Sequence, residues 1–461
     1  MEEKDSRAGL SRREFFKAAG IAGLAAGVAG TGSLVKAVPA YASNDAASAI
    51  LDFAITETDV PPYKKKPYEG AEKLARYHEA NQAFNNRDLM MQEFGGKPWA
   101  VAQMPAVIKR ARDKVPGFTL PDQVISSVTW TSYRGGGGAL FSWEPLGVAN
   151  LALLQELGKW QGSPDENNRI IKKVAYTFGA GAAGIAAVNE QWFYSHDSKG
   201  LPIIFSDAYD KPTITKDAKF IPKRMNRIIV LLVPMEGALA KYSPSALGAG
   251  SWGMGYSLMA EVASKMAEFI RGMGYNAIPM GNDTCLSVPV AIDAGLGEMG
   301  RHGLLINPEL GSLLRIAKVL TDMPITPDKP IEFGAAEFCR TCMKCAKNCP
   351  SRSISMSKDP SYDTFCKSNN PGMKKWYVNT WSCLKFWVEN GSSCGNCQIV
   401  CPYSKPKTWI HDVVKGISSK TTAFNSAFIT LDDALGYGKT LEENDPRKWW
   451  SSKGRPERWP R

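Results

Sequence analysis

The chain of 461 residues is 44% hydrophobic and 22% charged, with a formal net charge of +11, which is globular composition and excludes a disordered or low-complexity polymer. No dense Lys/Arg run interleaved with aromatics occurs, so the positive charge reads as a basic soluble surface or as an aid to docking on an anionic membrane face, and nucleic acid is not expected as a partner. Nine of the ten cysteines fall between Cys339 and Cys401, in CxxC and CxxxC runs that favour a metal cluster over disulfides.

Taken in chain order, the first element is an address label. Ser11-Arg12-Arg13-Glu14-Phe15-Phe16-Lys17 precedes a Gly/Ala-rich apolar stretch from Ala18 to about Val35, and Ala40-Tyr41-Ala42 follows as a small-residue cleavage site. A charged region, an apolar region and an A-x-A site make residues 1–42 a signal peptide, and the paired arginines make it a twin-arginine signal, which exports folded, cofactor-loaded proteins. No later stretch reaches about 18 consecutive apolar residues, so the mature chain is expected to carry no membrane span.

Residues 43–165 are expected to form an N-terminal unit in which aromatics recur at Phe118, Trp130, Tyr133, Phe141 and Trp143, with Arg134 to Gly138 as a turn or loop. Residues 166–330 read as a core of alternating helices and strands. A helix is predicted from Asn167 through Ile170, Ile171, Val174 and Phe178. The run Gly179 to Gly184 matches GxGxxG, but a helix precedes it and a strand at Ile185 to Val188 follows, the reverse of a dinucleotide site, so nicotinamide binding is rejected. Arg227 to Val233 predicts a buried strand. Tyr256 to Gly274 predicts a helix with Met259, Val262, Ala263, Met266, Phe269 and Ile270 on one face, and Tyr275 to Met280 another strand. The pattern is that of an α/β or α+β sandwich. Residues 331–415 hold the cysteine runs, and residues 416–461 form a tail in which no chemistry is recognisable.

Cys339-x-x-Cys342-x-x-Cys345-x-x-x-Cys349-Pro350 is the bacterial ferredoxin run, in which three thiolates bind one [4Fe–4S] cubane and the fourth crosses to a second. The second run, Cys383-x10-Cys394-x-x-Cys397-x-x-x-Cys401-Pro402, has a long first gap. Crossing assigns Cys339, Cys342, Cys345 and Cys401 to one cluster and Cys349, Cys383, Cys394 and Cys397 to the other, with Cys366 as an alternative to Cys383. Cys285 reads as a small buried hydrophobe. Two cubanes form a short electron wire, and a wire implies a terminal redox site.

Gly255-Tyr256-Ser257, Gly281-Asn282-Asp283-Thr284, AGLGEMGRHGLLINPELG (Ala294 to Gly311), RIAKVLTD (Arg315 to Asp322), FCRTCMKCAKNCP and CLKFWVENGSSCGNC together resemble the corrinoid-dependent reductive dehalogenases, over roughly half the chain. The resemblance implies an α+β fold: a nitroreductase-like corrinoid-binding core plus a bacterial two-cluster ferredoxin-like domain. It implies a base-off cobalamin without a histidine ligand, in keeping with the absence of a DxHxxG motif, and His302 is read as a polar loop residue. Corrinoid contacts are implied for Tyr256, Ser257, Asn282, Gly297, Gly300 and His302. Tyr256 maps onto the proton donor, Arg315 onto its companion cation and Asn282 onto a substrate-side residue, with Arg301 as a second candidate for the cation or else a structural ion pair. Trp376 and Trp381 are candidates for an apolar pocket wall or else for ordinary core packing. Replacing a carbon–halogen bond by carbon–hydrogen needs two electrons and one proton, and a tyrosine with its ordinary pKa near 10 gives up that proton more readily beside a cation.

The implied role is terminal reductase of organohalide respiration, acting on a small halogenated organic, with a lean towards chlorinated alkanes. The enzyme would sit peripherally on the outer face of the cytoplasmic membrane, with a small integral membrane anchor protein and an upstream electron donor as partners. Two alternatives stay open at this point. An exported iron–sulfur electron-transfer subunit would bind no corrinoid. An epoxyqueuosine-reductase-like enzyme would act on tRNA in the cytoplasm through an aspartate, which the leader argues against.

Overall fold

The apolar run from Ile228 to Val233 demands a strand covered on both faces, because successive side chains of a strand point to opposite sides. In the computed structural model, which describes residues 54–70, 74–135, 139–147, 152–405, 409–437, 440 and 444–453, this strand lies inside the sheet. Strands β1 (Ala182–Ala187), β2 (Arg227–Pro234), β3 (Ala277–Met280) and β4 (Leu314–Thr321) pair antiparallel in the order β1–β2–β4–β3. The twin-arginine leader, its cleavage site and Gly136 to Gly138 lie outside the described residues.

Among helices α1 (Trp99–Arg112), α2 (Leu120–Val128), α3 (Pro164–Phe178) and α4 (Ala246–Gly272), α3 and α4 supply one cover, and α2 packs on α4. Ile229, Leu231 and Val233 of β2, with Ala317 and Val319 of β4, bury against Ile171 of α3 and against Met259, Val262, Ala263 and Met266 of α4. The opposite face, with Ile228, Val230, Leu232, Ile316 and Leu320, packs against Trp192 and Phe193 and runs on without a break to Phe338, Cys339 and Tyr403. One apolar core thus ties the sheet to the cysteine-rich region.

Two elements differ from the sequence expectation. Helix α4 begins ten residues before Tyr256, at Ala246, with Ser245 Oγ accepting the Gly248 N–H at 3.2 Å. Its first turns are glycine-rich, which reads as loop, but a side chain at Gly253 would stand 2.2 Å from Thr129 Oγ1, so packing overrides propensity. Strand β1 begins at Ala182, not Ile185, and within it a Cβ on Gly184 would stand 2.1 Å from the Ala294 carbonyl oxygen. The glycines of the GxGxxG match therefore end helix α3, at Gly179 in the left-handed conformation, and admit a close neighbour to the strand.

The N-terminal unit wraps onto the core. Thr56–Glu57 pairs with Ile331–Glu332, and the segment after α2 is pinned to α4, where Ser257 Oγ donates to the Thr129 carbonyl at 2.6 Å. Thr131–Gly135 forms a π-helical turn, which takes in Arg134 and Gly135, the described part of the expected turn or loop from Arg134 to Gly138. In the cysteine-rich region, α5 (Ala335–Cys342) and α6 (Thr380–Asn390) carry cluster cysteines, and α7 (Asn425–Ala434) folds back over α5. Helix α1 docks on α6, with Gln103 Nε2 donating to the Trp387 carbonyl at 2.8 Å. Among the described residues, no helix is long and apolar enough to cross a membrane.

Candidate active site and cluster centres

The cysteines sort into two quartets in space. Burial raises the thiol pKa of Cys339, Cys342 and Cys345, and each of the three also feels Cys401. Burial likewise raises Cys383, Cys394 and Cys397, all of which feel Cys349. Cys345 additionally feels Cys397, so the quartets adjoin. Buried thiolates that repel one another are costly until iron compensates their charge, which is the behaviour of a cluster site. Among the described residues, no three His, Cys, Asp or Glu converge as for a single ion; a cubane, with one thiolate per iron corner, is a wider target. Cys366 stands apart, its Sγ 3.4 Å from Thr380 Oγ1, and Cys285 is buried with its Sγ 3.9 Å from Met280 Sδ.

The tail, in which the sequence shows no chemistry, closes over the first quartet. Lys344, buried between Cys342 and Cys345, binds Asp433 at 2.6 Å and also Asp432, both on α7. Burial alone would lower the Lys344 pKa, but the two carboxylates more than offset it and hold the ammonium charged.

Both quartets reach the elements that carry the predicted catalytic residues. Ser312, just before β4, hydrogen-bonds Cys401. Trp252, one turn before Tyr256 on α4, donates through Nε1 to Gln398 Oε1 at 3.2 Å, beside Cys397. From there the periodicities of strand and helix do the placing. Arg315 shares a face of β4 with Ala317 and Val319, the face α4 covers, while Tyr256 stands one turn before Met259 on the covering side of α4. The chain leaving β3 brings Asn282 to the same point.

The Tyr256 hydroxyl oxygen accepts a hydrogen bond from Asn282 Nδ2 at 2.9 Å and another from Arg315 Nη1 at 3.4 Å. The guanidinium also lies over the Tyr256 ring, 4.2 Å from its centroid. Both protein donors point at the oxygen, so the hydroxyl proton is left to point elsewhere, and both donors stabilise the tyrosinate that its departure creates. Trp130 stacks on the Tyr256 ring at 4.8 Å and Tyr133 meets it edge-on at 5.1 Å, with Phe141 behind Tyr133 at 5.9 Å. Burial, then Tyr256 and Asp283, push the Tyr133 phenol up to about 12, so it stays protonated.

The aromatics that gather at Tyr256 are Trp130, Tyr133 and Phe141, while Trp376 and Trp381 pack elsewhere. Trp376 lies under the Arg301 guanidinium, at 4.4 Å, and Trp381 Nε1 donates to Ser368 Oγ at 2.7 Å. Recurrence of aromatics in the N-terminal unit was the available signal, but their spacing does not say what they surround. Arg301 is likewise not the cation beside Tyr256: its side-chain N–H groups go to the carbonyls of Cys339, Ser355, Ser357 and Lys358. Ser257 holds the aromatic segment in place through Thr129. Gly297, Gly300 and His302 lie in a small ribbon in which Glu298–Met299 pairs with Leu305–Ile306, and their close neighbours belong to that ribbon.

His302 Nδ1 accepts the Leu304 N–H at 3.2 Å, which puts the ring proton on Nε2, a buried atom with no partner among the described residues. Burial lowers its pKa from 6.5 to about 4. Between those values the unfolded chain binds the extra proton and the folded chain does not, so stability falls as pH drops through that window. The contribution is about 3 kcal/mol. His302→Asn, which keeps an acceptor for Leu304, should flatten denaturation midpoints between pH 6.5 and 4 by that order; an unchanged pH slope would rule the contribution out.

Two cysteine quartets of cluster type, on a fold that also sets a tyrosine hydroxyl beside an arginine, define the class of iron–sulfur oxidoreductases. The family model for the reductive dehalogenase subunit matches residues 186–325, and that for the 4Fe-4S dicluster domain matches residues 338–405. The chain is 32% identical to a tetrachloroethene reductive dehalogenase of Desulfitobacterium hafniense over 95% of both chains. It is 31% identical to one of Sulfurospirillum multivorans, over 95% of this chain and 92% of that one. A solved reductive dehalogenase, for which a mechanism of B12-dependent dehalogenation has been suggested, is 23% identical with a TM-score of 0.62, covering 85% of this chain and 50% of that one. The chain thus spans about half the length of that solved protein but nearly the whole of the two curated relatives. It belongs to the reductive dehalogenase family, and its fold is that of the family: an α+β core joined to a two-cluster ferredoxin-like domain.

Proposed function

We propose that the chain is the catalytic subunit of a corrinoid-dependent reductive dehalogenase that replaces halogen by hydrogen on a small chlorinated hydrocarbon. The observation that carries this reading is the Tyr256 hydroxyl, which accepts from Asn282 and Arg315 and is walled by Trp130 and Tyr133. The site fits a cofactor and substrate in one further respect: Arg315 Nε is buried without an acceptor among the described residues. Tyr256, Asn282 and Arg315 would line the reactive side of the bound corrinoid, which supplies the low-valent cobalt that reduces the carbon–halogen bond.

The protein's own residues do the rest. The two quartets hold the clusters that pass electrons inward. Arg315 and Asn282 orient Tyr256 and carry the negative charge left on its oxygen when the proton departs. Trp130, Tyr133 and Phe141 give the substrate an apolar surface and keep water from it. The epoxyqueuosine alternative uses an aspartate at this point, where the present chain offers Tyr256.

The same reading extends to place and partners. The twin-arginine leader supports export and a peripheral position on the outer face of the cytoplasmic membrane. Val101, Met104 and Ile108 are exposed on α1 beside Lys109 and Arg112, on the helix that packs over Cys383-bearing α6, and this supports docking of an integral membrane anchor and electron donor at the second quartet. Replacing Arg12 and Arg13 by lysine should leave the precursor in the cytoplasm; normal export would remove the assignment. Chlorinated alkanes and chlorinated ethenes, with a reduced viologen as donor, separate the substrate classes. Two of the curated relatives are named for tetrachloroethene, while the lean taken from the sequence is to chlorinated alkanes; no chloride release from either would overturn the reading.

A further inference from the structure

Arg301 is 1% exposed, yet no carboxylate forms an ion pair with it among the described residues. The neighbouring carboxylate, Glu298, is committed to the backbone N–H groups of Phe333, Gly334 and Ala336. A buried guanidinium with only carbonyl acceptors is costly unless an anion lies close by. The anion at hand is the first cluster's ligand set. The Arg301 backbone N–H points to Cys339 Sγ at 3.5 Å, its Nε and Nη2 reach the Cys339 carbonyl at 3.1 and 2.9 Å, and its charge is felt by Cys339, Cys342 and Cys345. The Trp376 ring, 4.4 Å below, holds the guanidinium plane and shields it from water.

We infer that Arg301 is a fixed counter-cation of the cluster held by Cys339, Cys342, Cys345 and Cys401, and that it raises that cluster's reduction potential. A cubane bound by four thiolates is an anion that gains one further negative charge on reduction. A cation held in a dry site favours the more negative state, and in that way Arg301 makes the first cluster easier to reduce than it would be without that charge. It is a positioning residue for electron flow and touches neither Tyr256 nor its partners. The inference rests on the two quartets and not on the dehalogenase chemistry, so it can fail while that reading stands.

The test is an EPR-monitored redox titration of both clusters in the iron-loaded full chain, comparing wild type with Arg301→Gln and Arg301→Lys. In Arg301→Gln one of the two midpoints should shift at least tenfold in its redox equilibrium, which for one electron is 59 mV, to more negative potential, while the other moves much less. In Arg301→Lys, which keeps the charge and loses the planar fork, both midpoints should stay within about threefold of wild type. Both midpoints unchanged in Arg301→Gln would overturn the inference. If Arg301→Gln does not hold its cluster, Arg301→Lys decides: a loaded cluster at the wild-type midpoint supports the counter-cation role, and loss of that cluster there too makes Arg301 a loop clamp.

Discussion

Tyr256→Phe should abolish most dehalogenation while leaving both clusters and corrinoid binding intact. The substitution removes one oxygen. That oxygen accepts from Asn282 at 2.9 Å and from Arg315 at 3.4 Å, which leaves its own proton free to be given up. General-acid steps of this kind contribute about 10²–10⁴-fold, so kcat should fall by that order. The ring keeps its stacking on Trp130, so the pocket wall persists, and the iron content and cluster EPR signals should match wild type. A variant with wild-type kcat would remove Tyr256 from the reaction. Loss of iron together with activity would instead mean that the ring holds the fold.

Cys383→Ser should cost the second cluster, halving the iron from about eight to about four per chain, and should stop electron delivery from an external donor. Cys366→Ser should change neither. Spacing alone leaves both cysteines available, because the gap before Cys394 is long enough for either loop to return. The fold favours Cys383, which rides on α6 and feels Cys394 and Cys349, while Cys366 sits against Thr380. Iron analysis and EPR of the two variants, purified without oxygen, separate the assignments. Equal iron loss in both would mean that the loops rearrange when iron enters.

The features most legible in the sequence were those with strict local spacing. The cysteine runs mark out two cubane sites, leaving Cys366 and Cys383 as alternatives, and the apolar run from Ile228 to Val233 gives a strand buried on both faces. What spacing could not show was what lies across from what. Arg301 and Arg315 are both arginines in polar–apolar neighbourhoods, and only the strand parity of β4 aims Arg315 at Tyr256, while the ribbon from Glu298 to Ile306 aims Arg301 at Cys339. The aromatics Trp130, Tyr133 and Phe141 are visible as a cluster in sequence, but the partner they enclose is more than 100 residues away along the chain. The sequence predicts helix α4 only from Tyr256; the glycine-rich turns before it are helical because close neighbours, Tyr242 and Ser243 at Gly248 and Thr129 and Trp130 at Gly253, require small residues there. Asp432 and Asp433 have no periodic link to Lys344, so the tail's hold on the first cluster was illegible.

The most direct test of the whole account is chloride release by the anaerobically purified, iron-loaded protein, given a low-potential donor and a chlorinated ethene or ethane, with and without added corrinoid. Chloride released in step with hydrogen-substituted product, only when the corrinoid is supplied, is the predicted result. Clusters that are reduced and reoxidised normally without any corrinoid-dependent chloride would contradict it and leave an exported electron carrier.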